Sequence, residues 1–205
     1  MLRLLRTVLW VVALVSLLAT GAGHLYRWYQ AQQSDSWALE LDGRPAPSFT
    51  LTDHRRQTVS LEDFTGRITV VTFVFTSCPE TCPLTLHKLA TAHRELPPDL
   101  RQQVQLVAIT VDPEHDTVDR MAQYVEANGL DNILFLTGAR QALEPVWSGF
   151  AITVEQVPAA SGQVTLLHTP VTYVLDQEGR LAFLVRDEAL DPDRFAGLLE
   201  RLAAS

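Results

Sequence analysis

The chain has 205 residues, 47% of them hydrophobic, and a formal net charge of −8 at pH 7. That composition suffices for one globular core of ordinary size. It excludes a nucleic-acid partner, because phosphate binding needs clustered Lys and Arg and Lys88 is the one lysine.

Residues 1–28 read as a cytoplasmic n-region and a transmembrane anchor. After Arg3 and Arg6 no charged residue occurs from Thr7 to Tyr26, about 20 residues, the length a helix needs to cross a bilayer. The two arginines put the N-terminus on the cytoplasmic side and the domain on the far, periplasmic face of the plasma (inner) membrane. Ala19-Thr20-Gly21 offers a signal-peptidase site, but Tyr26, Trp28 and Tyr29 form an aromatic group where a retained helix meets the interface, which favours the anchor. Outside a reducing cytosol two cysteines are as compatible with a disulfide as with free thiols or metal ligands.

Residues 29–44 form a polar tether, and the domain, residues 45–205, begins near Pro45. Phe49–Leu51 and Thr58–Leu61 flank a turn and read as a hairpin. Ile68 to Phe75 is an unbroken β-branched and aromatic run, the pattern of a strand buried on both faces. Pro83, which lacks an N–H, predicts a helix from about Pro83 to Leu96, ahead of Pro97-Pro98. A second strand follows over Gln103–Val111. Thr117 can cap a helix ending at Asn128-Gly129, and Thr137, after a third strand at Ile133–Leu136, can cap another reaching Phe150. Ala151 to Leu167 alternates around Ser161-Gly162 as a long β-hairpin. The strands Thr172–Leu175 and Leu181–Val185 come next, and then a helix capped by Asp191 with Pro192 at its first position. Strands alternating with helices imply an α/β fold, a thioredoxin-like mixed sheet flanked by helices with an inserted β-hairpin. Sites in such sheets form beyond the carboxyl ends of the strands, where residues 76–82 and 112–117 leave.

The stretch Cys78-Pro-Glu-Thr-Cys82-Pro holds both cysteines. Cys82, at or near the helix N-cap, is expected to have a lowered thiol pKa from the unpaired N–H groups and the helix dipole. Two sulfurs select soft metals and are too few for structural zinc, whereas Cu(I) accepts two or three ligands, so one imidazole would complete a site. His24 lies at the membrane edge, His54 in a polar turn, and His87 and His93 in the helix after the cysteines. His115, in the loop after the second strand, stays open. His168, before Thr169-Pro170, stands where a thioredoxin-like chain brings its last loop against the cysteines. Each residue also has a plainer role: a structural disulfide for the cysteines, a core imidazole for His168, helix caps for Asp112 and Asp116, a turn residue for Pro170.

The cysteine motif after Phe75-Thr-Ser, then Val111-Asp-Pro-Glu-His-Asp-Thr117, then His168-Thr followed by Tyr173-Val-Leu-Asp176, resembles the Sco/SenC proteins over residues 45–203. The resemblance implies one copper, as Cu(I) and also Cu(II), bound by Cys78, Cys82 and His168, with Asp112 close by. It further implies assistance in assembling the dinuclear copper centre of cytochrome c oxidase, with the copper-bearing oxidase subunit and an upstream copper carrier as partners. Pro170 departs from the family pattern and stands where thioredoxins carry a cis-proline, so a cis Thr169–Pro170 bond is expected. The competing reading is a membrane-anchored thiol–disulfide oxidoreductase cycling a Cys78–Cys82 disulfide to reduce the cysteines of the copper acceptor. A thiol peroxidase is disfavoured, since Phe75 and Pro79, not Thr or Ser, stand three residues before the two cysteines.

Overall fold

The computed structural model describes residues 37–158 and 164–204, together with Arg6, Trp10, Ser16, Thr20 and Gly21. The chain divides into two units, Met1–Trp37 and Ala38–Ser205. In the first, those five residues are helical and the Thr20 hydroxyl donates to the Ser16 carbonyl at 2.9 Å. Most of the expected span at residues 7–26 lies outside the described residues, among which no helix is long and apolar enough to cross a membrane.

The second unit is built on β4 (Ile68–Val74), whose seven residues are all buried. A strand with no polar face must be covered on both sides, and it pairs on both edges as well. It runs parallel to β5 (Val104–Thr110) and antiparallel to β9 (Val171–Leu175). The described sheet has the order β1-β10-β9-β4-β5-β6-β2-β3, where β1 is Ala38–Glu40, β2 Thr50–Asp53, β3 Thr58–Ser60, β6 Ile133–Thr137 and β10 Leu181–Arg186. Only β4–β5 and β5–β6 are parallel, so the sheet is mixed, as the alternation of elements predicts. The inserted hairpin is β7 (Val154–Pro158) with β8 (Val164–His168), and its turn lies outside the described residues.

Some boundaries differ from the sequence reading. Strand β1 enters the sheet before Pro45, pairing Leu39 with Leu184 at the edge; its residues are largely exposed, so main-chain bonds hold it and no apolar alternation announces it. The helix expected from Thr137 is α4 (Arg140–Gly149), with Ala139 at its N-cap. Thr137 stays in β6, where its hydroxyl donates to the Asp116 carbonyl at 3.0 Å. The caps at Thr117 and Asp191 are as expected: each side chain accepts a main-chain N–H from the first turn of α3 (Val118–Asn128) and α5 (Pro192–Ala203). Gly129 closes α3 at φ 61°, a left-handed conformation that glycine adopts without a Cβ penalty.

On one face the Phe150 ring packs with its centroid 5.5 Å from that of Phe73, tilted, and 5.1 Å from that of Tyr173, edge-on, and the Tyr173 hydroxyl donates to the Phe150 carbonyl at 2.6 Å. Trp147 Nε1 donates to the Thr110 carbonyl at 3.0 Å, fixing α4 to the end of β5. Helix α1 (Thr81–Glu95) packs on α5, and their buried Leu86, Leu89 and Phe195 belong to a second apolar layer. Each such side chain removed from water contributes roughly 1.5–3 kcal/mol. The short α2 (Pro98–Gln102) links α1 to β5.

Candidate metal and thiol site

The pairing of β4 with β9 brings distant residues together. Thr72 lies opposite Thr172 in an antiparallel ladder, so the chain leaving β4 toward Cys78 runs beside the chain entering β9 from His168. Cys78 is on the loop and half-buried; Cys82 is in helix α1 and 2% exposed. Both are free thiols.

Helix α1 starts at Thr81, two residues earlier than Pro83 suggests. Pro83 is then the third helical residue, and the first four N–H groups of a helix have no intrahelical partner, so its missing donor costs nothing. The consequence reverses the expected roles of the two thiols. The Cys82 N–H points back to Cys78 Sγ at 3.3 Å, making Cys78 the sulfur that faces the helix start. The Cys82 thiol, with support from the N–H groups of Cys82, Glu80 and Thr81, lowers the Cys78 pKa to about 6 against the cost of burial. Cys82 is pushed the other way, first by its hydrogen bond to Cys78 and then by burial. The pair is a half-buried thiolate beside a buried thiol.

His168 completes the group. Its Nε2 lies 3.9 Å from Cys82 Sγ, and its Nδ1 donates to the Thr169 carbonyl at 3.0 Å, which leaves the free electron pair on Nε2, toward sulfur. Burial holds its pKa below the ordinary value, so the ring is neutral at pH 7. Phe75 abuts it edge-on at 5.9 Å. A metal about 2.3 Å from sulfur and about 2.0 Å from nitrogen keeps those donors within about 4.3 Å of each other, a limit the Cys82–His168 pair meets. Among the described residues no group of three or more His, Cys, Asp and Glu side chains is already drawn into a closed metal site.

Two aspartates brace the loops, neither as a helix cap. Asp116, 1% exposed, accepts from the Thr76 N–H at 3.1 and 3.2 Å, from the Thr76 hydroxyl, and from the Thr110 hydroxyl at 2.6 Å. Together with the Thr137 bond it ties the exits of β4, β5 and β6 two residues ahead of Cys78. Burial raises its pKa. Asp112 accepts from His115 Nδ1 and raises the pKa of that exposed ring. Asp112, His115, Cys78, His168, Phe75 and Arg120 line one cleft of about 980 Å³. Beneath, the buried Asp187 accepts from Thr172 at 2.9 Å and Thr85 at 3.3 Å, and burial lifts its pKa to about 6.

The other histidines are elsewhere. His54 Nδ1 accepts the Phe135 N–H, His93 bonds the carbonyls of Arg101 and Val104, His87 is exposed on α1, and His24 lies outside the described residues. The Thr169–Pro170 bond is trans, against the expected cis form. The chain passes from β8 into β9 through a tight bend in which the Val171 N–H reaches the Thr169 carbonyl at 3.1 Å, so Pro170 serves as a turn residue.

A thioredoxin-like sheet with an asymmetric dithiol on the loop and first helical turn after its central strand, faced by a neutral imidazole, defines a protein of thiol or soft-metal chemistry. More narrowly, the chain belongs to the SCO1/SenC family, whose profile matches residues 40–204. It is 35% identical to the mitochondrial SCO2 homolog protein of Bos taurus, over 85% of this chain and 67% of that protein. Among solved structures it is similar to copper-bound ScoI of Bradyrhizobium japonicum (TM-score 0.69, 27% identity, 77% of this chain and 99% of that one). Apo Sco1 of Thermus thermophilus is also similar (TM-score 0.72, 29% identity, 81% and 96%).

Proposed function

We propose that this chain is a copper chaperone that carries one copper on Cys78, Cys82 and His168 and passes it to the copper-bearing subunit of cytochrome c oxidase, for assembly of the dinuclear copper centre. ScoI of Bradyrhizobium japonicum and ScoI of Arabidopsis thaliana, both similar to this chain, are copper-bound, and the further structural relative BsSco is a member of the Sco family of cytochrome c oxidase assembly proteins. The observation that carries the reading is His168: an imidazole 86 residues from Cys82 is held with Nδ1 on a carbonyl and Nε2 toward sulfur. A soft N/S donor set retains copper and releases it by ligand exchange to another thiolate site. An upstream carrier supplies the metal. Residues 7–26 anchor the chain in the inner membrane, with the domain on the periplasmic side.

The asymmetric thiols favour a second reading, thiol–disulfide exchange, in which the Cys78 thiolate attacks a partner disulfide and Cys82 resolves the mixed intermediate. Titration of the reduced chain with Cu(I) separates the two. One equivalent bound tightly, lost in Cys78→Ser and Cys82→Ser, supports copper carriage; no binding above that of the double Ser variant would leave only thiol exchange.

A further inference from the structure

The loop after β5 holds a second imidazole at the mouth of the cleft. The His115 side chain is 68% exposed, against 7% for Asp112. The Asp112 main chain is fixed: its N–H donates to Thr110 Oγ1 at 2.9 Å, and its carbonyl accepts from the N–H groups of His115 and Asp116 at 3.1 and 2.8 Å. From that fixed base the carboxylate takes His115 Nδ1 at 2.9 and 3.0 Å. The proton of the neutral ring is therefore on Nδ1 and the free pair on Nε2, at the atom turned away from the carboxylate. A carboxylate that grips one ring nitrogen while the other stays open is the usual support of a metal-binding histidine. Turn stability alone does not require the ring to be exposed in the cleft that also reaches Cys78 and His168.

We propose that His115 is an outer copper ligand, positioned by Asp112, that hands Cu(I) between the Cys78–Cys82–His168 set and an incoming donor. The inference rests on the copper-delivery reading above. In the step a bond from Cu(I) to His115 Nε2 forms as one bond to the inner set breaks. A donor of the acceptor then replaces His115, and copper stays Cu(I) throughout. If Nε2 carries a proton, that proton passes to water as the metal binds and returns from water when it leaves.

The test uses the full-length chain in detergent, loaded with one equivalent of Cu(I) and mixed with a chromophoric bidentate nitrogen chelator. His115→Ala is expected to leave the equilibrium Cu(I) affinity within about twofold and to slow transfer roughly tenfold, the lower end of what loss of a supporting group costs a metal site. His115→Cys, which restores a soft donor, should recover most of the rate. Transfer by His115→Ala at the wild-type rate would overturn the relay, as would a parallel loss of affinity, which would make His115 part of the inner set. Unchanged Cu(I) affinity in the double Cys→Ser variant would instead defeat the copper-delivery reading itself, so the two failures are distinguishable.

Discussion

Cys78 should behave as the thiolate of the pair, and alkylation of the reduced chain as a function of pH measures this directly. With its pKa lowered from 9.0 to about 6, Cys78 is about 90% thiolate at pH 7, against about 1% for an ordinary thiol of pKa 9. The rate does not gain the same factor. Nucleophilicity falls with basicity by a Brønsted coefficient of about 0.4–0.5, so three pKa units cost roughly 15- to 30-fold and the net gain at pH 7 is roughly three- to sixfold. The midpoint of the profile is therefore diagnostic. Iodoacetamide labelling with peptide mapping should give a Cys78 midpoint near 6 and little labelling of Cys82. Cys82→Ala removes the largest cause of the shift, the Cys82 thiol donor, and should move the midpoint upward. The same shift carries a stability sign. A lowered Cys78 pKa stabilises the reduced fold fully above 9.0, and that contribution is lost as pH falls through about 6. Cys82, raised from 9.0, opposes this only above 9.0. Reduced-state stability should rise from pH 6 toward 9. A Cys78 midpoint at an ordinary thiol value of about 8–9 would refute the assignment of roles.

Asp116→Ala should cost about 2–6 kcal/mol in denaturant unfolding, because it strands the half-buried Thr76 N–H and the buried Thr110 hydroxyl, each worth about 1–3 kcal/mol when unpaired; a loss below about 1 kcal/mol would contradict the brace. Gly149→Ala places a Cβ 2.6 Å from Pro47 Cβ, and overpacking against a rigid ring should destabilise by about 1–3 kcal/mol on the same assay. N-terminal sequencing of the membrane-extracted protein should find the anchor retained, and a chain starting near Ala22 would contradict it.

Strand β4 was legible because a run apolar on both faces has few alternatives, and the caps at Thr117 and Asp191 because a cap is a local bond between residues three apart. The start of α1 was misread, since Pro83 looks like a first residue although any position in the first turn tolerates it. That shift of two residues carried the thiolate from Cys82 to Cys78, a distinction made by which sulfur meets the helix N–H groups in space. The Asp116 bond to Thr76 spans 40 residues, and the buried Asp187 meets Thr85 across 102. Neither has a local pattern, so both were missed as site residues. The position of His168 near the cysteines was expected from the thioredoxin-like arrangement of the last loop, and the antiparallel pairing of β4 with β9 brings it there.

The central claim, copper delivery, is tested most directly by His168→Ala in a strain lacking this chain. Thiol exchange needs no imidazole ligand, so the variant should still cycle a Cys78–Cys82 disulfide within a few-fold of the wild-type rate. Copper retention should fall, because two sulfurs remain of three donors. The account predicts that the variant fails to restore an oxidase with its dinuclear copper centre while thiol exchange persists. Restoration at ordinary copper levels would contradict it and assign the physiological role to the dithiol.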